Sequence, residues 1–472
     1  LRTTRRAIAA TTALAVAVGA GPARAASALD GAAMSWPWAL PFAGILLSIA
    51  AGPLLFRRFW HDHYGKIAAG WAALTLAAIA LAAGPSAALD AFVHAMLGEY
   101  LSFIVLLLAL YTVAGGILVS CLVRSSPATN GILLLVGTAM ASLVGTTGAA
   151  MILIRPLIRA NQGRQRNSHV VIFFIFLVAN VGGALTPLGD PPLFIGFLRG
   201  VDFFWTTRQL LIPTIVTAAL LLAVFVAIDW HLFRRDGGHS PADAGPAIRI
   251  SGWVNVVLIA AIILTILLSA AWAPGVRLNI GSSALELQNV VRDLGLVAIA
   301  VLSLLLTPEE HREANGFTWE PIREVAKLFA GIFVCIIPVL AMLAAGERGS
   351  FAWLLDAVTA GDGGPRNLAY FWLTGLLSAL LDNAPTYLVF FQLAGGDAGE
   401  LMGPLHSTLA AISMGAVYMG ALTYIGNAPN FMVYAIATER GVKMPSFFGY
   451  VVWSAMVMLP ILAAVGLALT SW

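Results

Sequence analysis

The chain has 472 residues, of which 60% are hydrophobic and only 10% charged, and its formal net charge is +3. An ordinary globular domain carries roughly 25% charged residues, so a soluble fold is excluded and the mean hydropathy of +0.88 indicates a polytopic membrane protein. The small net charge gives no reason to expect a nucleic-acid partner. The two cysteines, Cys121 and Cys335, both lie in apolar runs, which argues against a disulfide framework or a thiolate metal site.

In chain order, the first feature is a targeting pattern. Arg2, Arg5 and Arg6 precede an Ala/Val-rich stretch and then Ala23-Arg24-Ala25, so residues 1–26 are expected to be a cleaved signal peptide. A retained anchor, or translation beginning at Met34, are the alternatives. A membrane crossing needs about 20 apolar residues. The expected spans are 38–56, 67–84, 100–123, 168–198, 207–230, 252–273, 290–307, 326–345, 405–438 and 446–470.

Two further apolar segments, 130–160 and 367–393, are interrupted near their middles, at Gly145 to Gly148 and at Asp382 to Pro385. They are expected to be re-entrant hairpins, since irregular backbone is tolerated at membrane depth only inside protein or beside a polar cavity. With both hairpins non-crossing, sixteen Lys and Arg residues fall on the inner side and six on the outer. That bias follows the positive-inside rule.

Residues 183–192 read GALTPLGDPP, and 420–429 read GALTYIGNAP. Gly, Ala, Leu, Thr, Gly and Pro recur at one fixed offset, and the same offset carries Gly145–Ala149 onto Asp382–Thr386 without a gap. Five crossings separate the hairpins, so the two units are expected to be oppositely oriented, as an inverted-topology repeat. The spans 168–198 and 405–438 are too long for straight helices and are expected to break at the Thr-x-x-Gly motif. Expected domains are thus a first half (36–230) and a second half (252–472). A cytoplasmic linker (231–251) joins them.

Helix ends exposed at mid-membrane favour anions at N-termini and cations at unwound carbonyls. The candidate cation- and proton-binding residues are Asp190, Asp382, Asn383, Thr386, Thr186, Thr423 and Asn427. Thr146, Thr147 and Asn430 are candidates for a substrate, and Asp190 and Asp382 for the ion itself. Hard oxygen ligands of this kind suit Na⁺ or Li⁺.

Asp190, Asn427, Asp382 and Asn383 have a competing reading as N-caps. An ionised carboxylate in the bilayer costs at least ~2.5–3.5 kcal/mol, and Asn caps as well as Asp, so two Asp at two breaks favour function. His169 and His406 are read as interfacial, Arg155 as snorkelling to the inner interface, Asp90 and Glu99 as solvated in an outer amphipathic loop, and Asp229 as solvated where a span closes near the inside. No nucleophile elbow, phosphate loop or zinc motif is present, so no enzyme and no cofactor are expected.

The segments Asn180 to Phe194, Leu381 to Thr386 and Thr423 to Asn430 resemble the ion transporter superfamily. The resemblance spans about residues 36 to 472. It is nearest to bacterial proteins described as citrate transporters or sodium:proton antiporters. It implies an all-α inverted-repeat membrane fold with a scaffold and a moving transport domain, a homodimer, and a multi-pass protein of the bacterial inner membrane. The dicarboxylate branch carries Ser-Asn-Thr at its hairpin tips. Here the tips are Gly145-Thr146-Thr147 and Asp382-Asn383-Ala384, which sets an Asp where a carboxylate would dock. The expected function is therefore sodium (or lithium)/proton antiport. The alternative is cation-coupled symport of citrate or another carboxylate.

Overall fold

The computed structural model describes residues 29–122, 125–236, 247–280 and 283–468; the expected signal peptide lies outside them. The chain opens with α1 (Leu40–Leu55) and α2 (Arg57–Ala83). The continuous helix α3 (Pro85–Gly115) follows, with a π-helical stretch at His94–Tyr100. Strand β1 (Leu118–Leu122) then leads into hairpin 1, formed by α4 (Pro127–Val144) and α5 (Thr146–Ala160). Next come α6 (Ser168–Leu177), α7 (Pro191–Leu198) and α8 (Trp205–Arg235).

The second half contains β2 (Ala247–Ser251), α9 (Trp253–Ala271), β3 (Arg277–Ile280), β4 (Ser283–Glu286) and α10 (Leu287–Leu306). After α11 (Glu309–Ala314), α12 (Glu320–Ala344) and α13 (Ala352–Val358), hairpin 2 is built from α14 (Asn367–Leu380) and α15 (Asn383–Leu393). The chain closes with α16 (Ala398–Met402), α17 (His406–Met419), α18 (Ala428–Glu439) and α19 (Phe447–Ala468).

Among the described residues, 10 helices are long and apolar enough to cross a membrane. This is an all-α polytopic membrane protein. The expected number of spans matches, but the membership differs. The first arm of hairpin 1 qualifies by length, whereas 405–438 does not, because it is split into two short helices. Two small antiparallel ribbons were not expected. β1 pairs with β2 from Leu118↔Ser251 to Leu122↔Ala247, and β3 pairs with β4. The expected linker 231–251 accordingly contains the last turn of α8 and all of β2, while 237–246 lies outside the described residues.

Burial follows the logic of a bilayer solvent. Leu47, Leu81, Ile212 and Leu305 are exposed on outer helices, where lipid rather than water would cover them. The two broken helices form the centre. Every residue of α6 from His169 to Leu177 is buried, as is every residue of α17 from Ser407 to Met419. A helix apolar on all faces belongs in a core. Its polar exceptions therefore mark sites that something must satisfy.

Both helices break in the same way. α6 gives way to a 3₁₀ turn at Val181–Leu185 before α7, and α17 to one at Gly420–Leu422 before α18. Pro191 and Pro429 open the second half-helices at positions where a missing N–H costs nothing. Thr186 Oγ1 donates to the Ser142 carbonyl of hairpin 1 and accepts from Leu188 N at 3.2 Å. Thr423 Oγ1 donates to the Ala379 carbonyl of hairpin 2 at 2.5 Å and accepts from Ile425 N at 3.2 Å. One hydroxyl thus replaces a lost helical bond and ties each break to a hairpin, which is why Thr recurs there.

The shared glycines have a matching reason. A Cβ on Gly189 would lie 2.1 Å from the Gly183 carbonyl oxygen, and one on Gly426 would lie 2.6 Å from that of Gly420. At each break, two strands of backbone touch with no side chain between them.

Candidate functional site

Three polar side chains from three other elements meet at one carboxylate. Asp190, 1% exposed, stands at the N-cap position of α7. Its Oδ1 accepts from Thr146 Oγ1 at 3.0 Å and from Asn427 Nδ2 at 3.0 Å, and its Oδ2 accepts from Asn383 Nδ2 at 2.5 Å. Thr146 and Asn383 are the first residues of the second hairpin arms; Asn427 precedes α18.

These partners are related by the repeat. Asp190 and Asn427 are separated by 237 residues, and so are Thr146 and Asn383. Each half supplies the same two positions, and three of the four side chains converge on the oxygen pair of the fourth, Asp190. Both hairpin tips therefore reach the same depth as both breaks. Thr146 N also donates to the Gly189 carbonyl at 2.8 Å, which pins the tip of hairpin 1 to break 1. Gly145, at φ +79°, makes the reversal between α4 and α5 that a residue with a Cβ would resist.

The capping reading separates the two carboxylates. Asp190 holds the N-cap position yet makes no side-chain cap; all three of its bonds go to other elements. Asn427 likewise makes no cap. Asp382 does cap its helix, since Oδ1 accepts from Ala384 N at 3.1 Å, and it is half-buried. Asn383, not Asp382, touches Asp190. Thr386 Oγ1 donates to the Asp382 carbonyl at 3.0 Å, so it braces the tip of hairpin 2. Thr186 and Thr423 brace the breaks as described, and Thr147 lines the cavity beside Asp190 without a described side-chain bond.

Asn430 lies one step back. It donates to the Gly420 and Thr423 carbonyls at 2.8 and 2.9 Å, and it accepts from Asn180 Nδ2 at 2.7 Å. Asn180 Oδ1 in turn accepts from Asn427 at 3.2 Å. Asn180 and Ser142 were not among the expected site residues. Ser142 Oγ donates to the Gly182 carbonyl and accepts from Leu185 N at 3.1 Å. An amide inside the apolar run 170–181 was the available signal for Asn180. For Ser142 there was none, because a lone Ser in an apolar helix is common.

A cavity of about 90 Å³ opens onto Asp190. Its polar lining is Thr146, Thr147, Asp190, Tyr111 (whose hydroxyl donates to the Thr318 carbonyl at 2.8 Å) and backbone; the rest is apolar, including Leu106, Phe194 and Ile322 from the surrounding helices. Among the described residues no Lys, Arg or His lines it. Asn383 Oδ1 is buried and has no hydrogen-bond partner. An orphaned carbonyl oxygen beside a carboxylate forms an acceptor-rich corner of the type that hard cations and protons neutralise. Among the described residues no group of three or more His, Cys, Asp or Glu could hold a metal ion.

Several outlying residues differ from expectation. His169 is 2% exposed, and its Nε2 lies 2.8 Å from Asp229 Oδ1. Asp229, expected to be solvated, is fully buried and also contacts Arg164 at 2.5 Å and Asn130 at 3.0 Å. Asp90 and Glu99 lie within the helical stretch Pro85–Gly115, and Glu99 pairs with Arg199 at 2.7 Å. Arg155 packs its guanidinium against Gly316. His406 is exposed.

The similarities to known proteins agree with this geometry. Residues 31–469 match a family described as "Putative citrate transport". Proteins described as uncharacterized transporters in Mycobacterium bovis and Mycobacterium tuberculosis are each 26% identical over 329 residues, covering 67% of this chain and 71% of theirs. A protein of Mycobacterium leprae described as a 46 kDa membrane protein is 24% identical over 276 residues, covering 56% of this chain and 58% of its own. With the match extending over nearly the whole chain, this multi-pass membrane protein belongs to the citrate-transport family.

Proposed function

We propose that the chain is a secondary transporter that exchanges Na⁺ or Li⁺ for protons across the bacterial inner membrane, with Asp190 as the shared binding group. The observation that carries this reading is a buried carboxylate held only by neutral donors, with no basic side chain in its cavity. An ionised carboxylate in that setting needs a counter-charge. A proton or a small cation supplies it, and the two exclude one another. Competition at one group suffices to couple opposite fluxes. Asn383 Oδ1, Thr147 and the backbone of the two breaks are the neutral oxygens at hand. Asp382 supplies a second negative charge at the tip of hairpin 2.

A second reading is cation-coupled uptake of citrate or a related carboxylate, and the family's description favours it. The N-terminal ends of α5 and α7 border the cavity and would attract an anion. The negative charge of Asp190 would then have to be masked by a bound cation first. One preparation distinguishes the two. Purified protein in proteoliposomes is given Na⁺ or Li⁺ against a pH gradient, and separately labelled citrate with and without the cation. Antiport predicts cation-driven proton movement without citrate. Citrate accumulation that requires the cation, with no proton movement in its absence, would replace the first reading by the second.

A further inference from the structure

A second cavity, of about 500 Å³, lies where hairpin 1 closes and α18 ends, and its basic lining residues are Arg164, Arg166, His169, Arg440 and Lys443. The positive-inside argument places this end of the molecule at the cytoplasmic face. Arg164 pairs with Asp229 at 2.5 Å, and Arg166 with Asp236 at 3.2 Å. Among the described residues Arg440 and Lys443 have no ion pair, so the cavity keeps an excess of positive charge.

Two independent features point to an anion. Arg164 is only 7% exposed and spends Nη1 and Nη2 on Asn161 and Asp229, yet its Nε is buried without a hydrogen-bond partner. The cavity wall also includes Ser168, the first residue of the ten-residue helix α6. That helix is uncapped, because the Asn167 side chain donates to the Asn161 carbonyl at 3.3 Å instead. The Ser168 and His169 N–H groups and a positive helix end therefore line the same cavity as a guanidinium with an unsatisfied N–H, while Val170 N is spent on the Asn167 carbonyl. Leu232 and Trp453 complete the wall, and an apolar side with a Trp suits the level of lipid headgroups.

We propose that this cavity binds a phosphate group, supplied by an anionic phospholipid of the inner leaflet, with Arg440, Lys443, Arg164 Nε and the first turn of α6 as its partners. The proposal is independent of what the transporter carries. It assigns the site a structural consequence, because its walls come from hairpin 1, both broken helices, α8 and α19, and a bound headgroup ties their inner ends together.

The test uses detergent-purified full-length protein, wild type and R440Q/K443Q. Both substituted side chains are exposed, so the variant keeps the fold. Native mass spectrometry and thermal unfolding are recorded with phosphatidylglycerol, with phosphatidylcholine and with inorganic phosphate. Phosphatidylglycerol should be retained and raise the midpoint where phosphatidylcholine does not. The double variant should bind it about tenfold or more weakly, two surface cations being removed. Binding of inorganic phosphate with the same loss, and no preference for phosphatidylglycerol, supports the phosphate site but makes its source soluble. The proposal is overturned if no anion binds, or if wild type and variant bind equally.

Discussion

Asp190 and Asp382 look alike in the sequence and behave differently in the structure, and substitution to Asn exposes the difference. Asn is nearly isosteric and caps a helix about as well as Asp. Asp382→Asn should therefore retain the bond to Ala384 N and leave transport present, with weaker cation binding from the loss of one charge. Asp190→Asn should leave the protein folded and stop coupled transport, because an amide cannot exchange a proton for a cation. In the wild type the apparent KM for Na⁺ should rise as pH falls, by at most roughly tenfold per pH unit if one proton competes; a KM independent of pH would contradict exchange at Asp190. Asp229 serves a different purpose. Its removal in Asp229→Ala strands the buried Arg164 charge, so a loss of about 3–5 kcal/mol in stability is expected, measurable as a lowered thermal midpoint. The carboxylate at Asp190 was legible because an ionisable group in an apolar run has few bland explanations. The pairing of Asp229 with His169 and Arg164 was not, because it joins segments some sixty residues apart and a charge at the end of a span normally stays in water.

At the level of elements, the break is a small machine made of glycine, threonine and proline. Gly189→Ala would press a methyl group into the Gly183 carbonyl and should cost about 1–3 kcal/mol by overpacking. Gly426→Ala should behave similarly, since its Cβ meets the Gly420 carbonyl. Gly361→Ala is the control, because nothing lies within 4 Å of its Cβ position. Thermal unfolding of the three variants checks the ordering, and equal midpoints for all three would contradict the close-contact account. Hairpins and breaks could be read from the sequence because each interrupts an apolar run with residues that cannot continue a helix. The β1–β2 ribbon could not. Its first strand continues an apolar run, and its partner lies more than a hundred residues away, so local patterning carries no sign of the pairing. The helical path through Asp90 and Glu99 was missed for a related reason. Charged residues there suggested a loop, whereas the Glu99–Arg199 pair lets the helix carry its charge.

On the scale of the whole molecule, the repeat explains why the site is where it is. Positions 190 and 427 hydrogen-bond each other, and positions 146 and 383 meet the same carboxylate. Equivalent positions of two units touch only near the axis that relates them, so the differences between the halves become chemistry at one point. The opposite orientation expected of the units from the sequence predicts that Gln162→Cys, at the base of hairpin 1, reacts with an impermeant maleimide from the cytoplasmic side. Gly361→Cys, before hairpin 2, should react from the outside, both in a background lacking Cys121 and Cys335. Reaction of both from one side would contradict the inverted arrangement.

The account stands or falls on Asp190. The most direct measurement is proton movement in everted vesicles, followed with a pH-sensitive dye after addition of Na⁺ or Li⁺, for wild type and Asp190→Asn expressed at equal levels. The account predicts cation-dependent dequenching in the wild type and none in Asp190→Asn. Full dequenching in Asp190→Asn would contradict it.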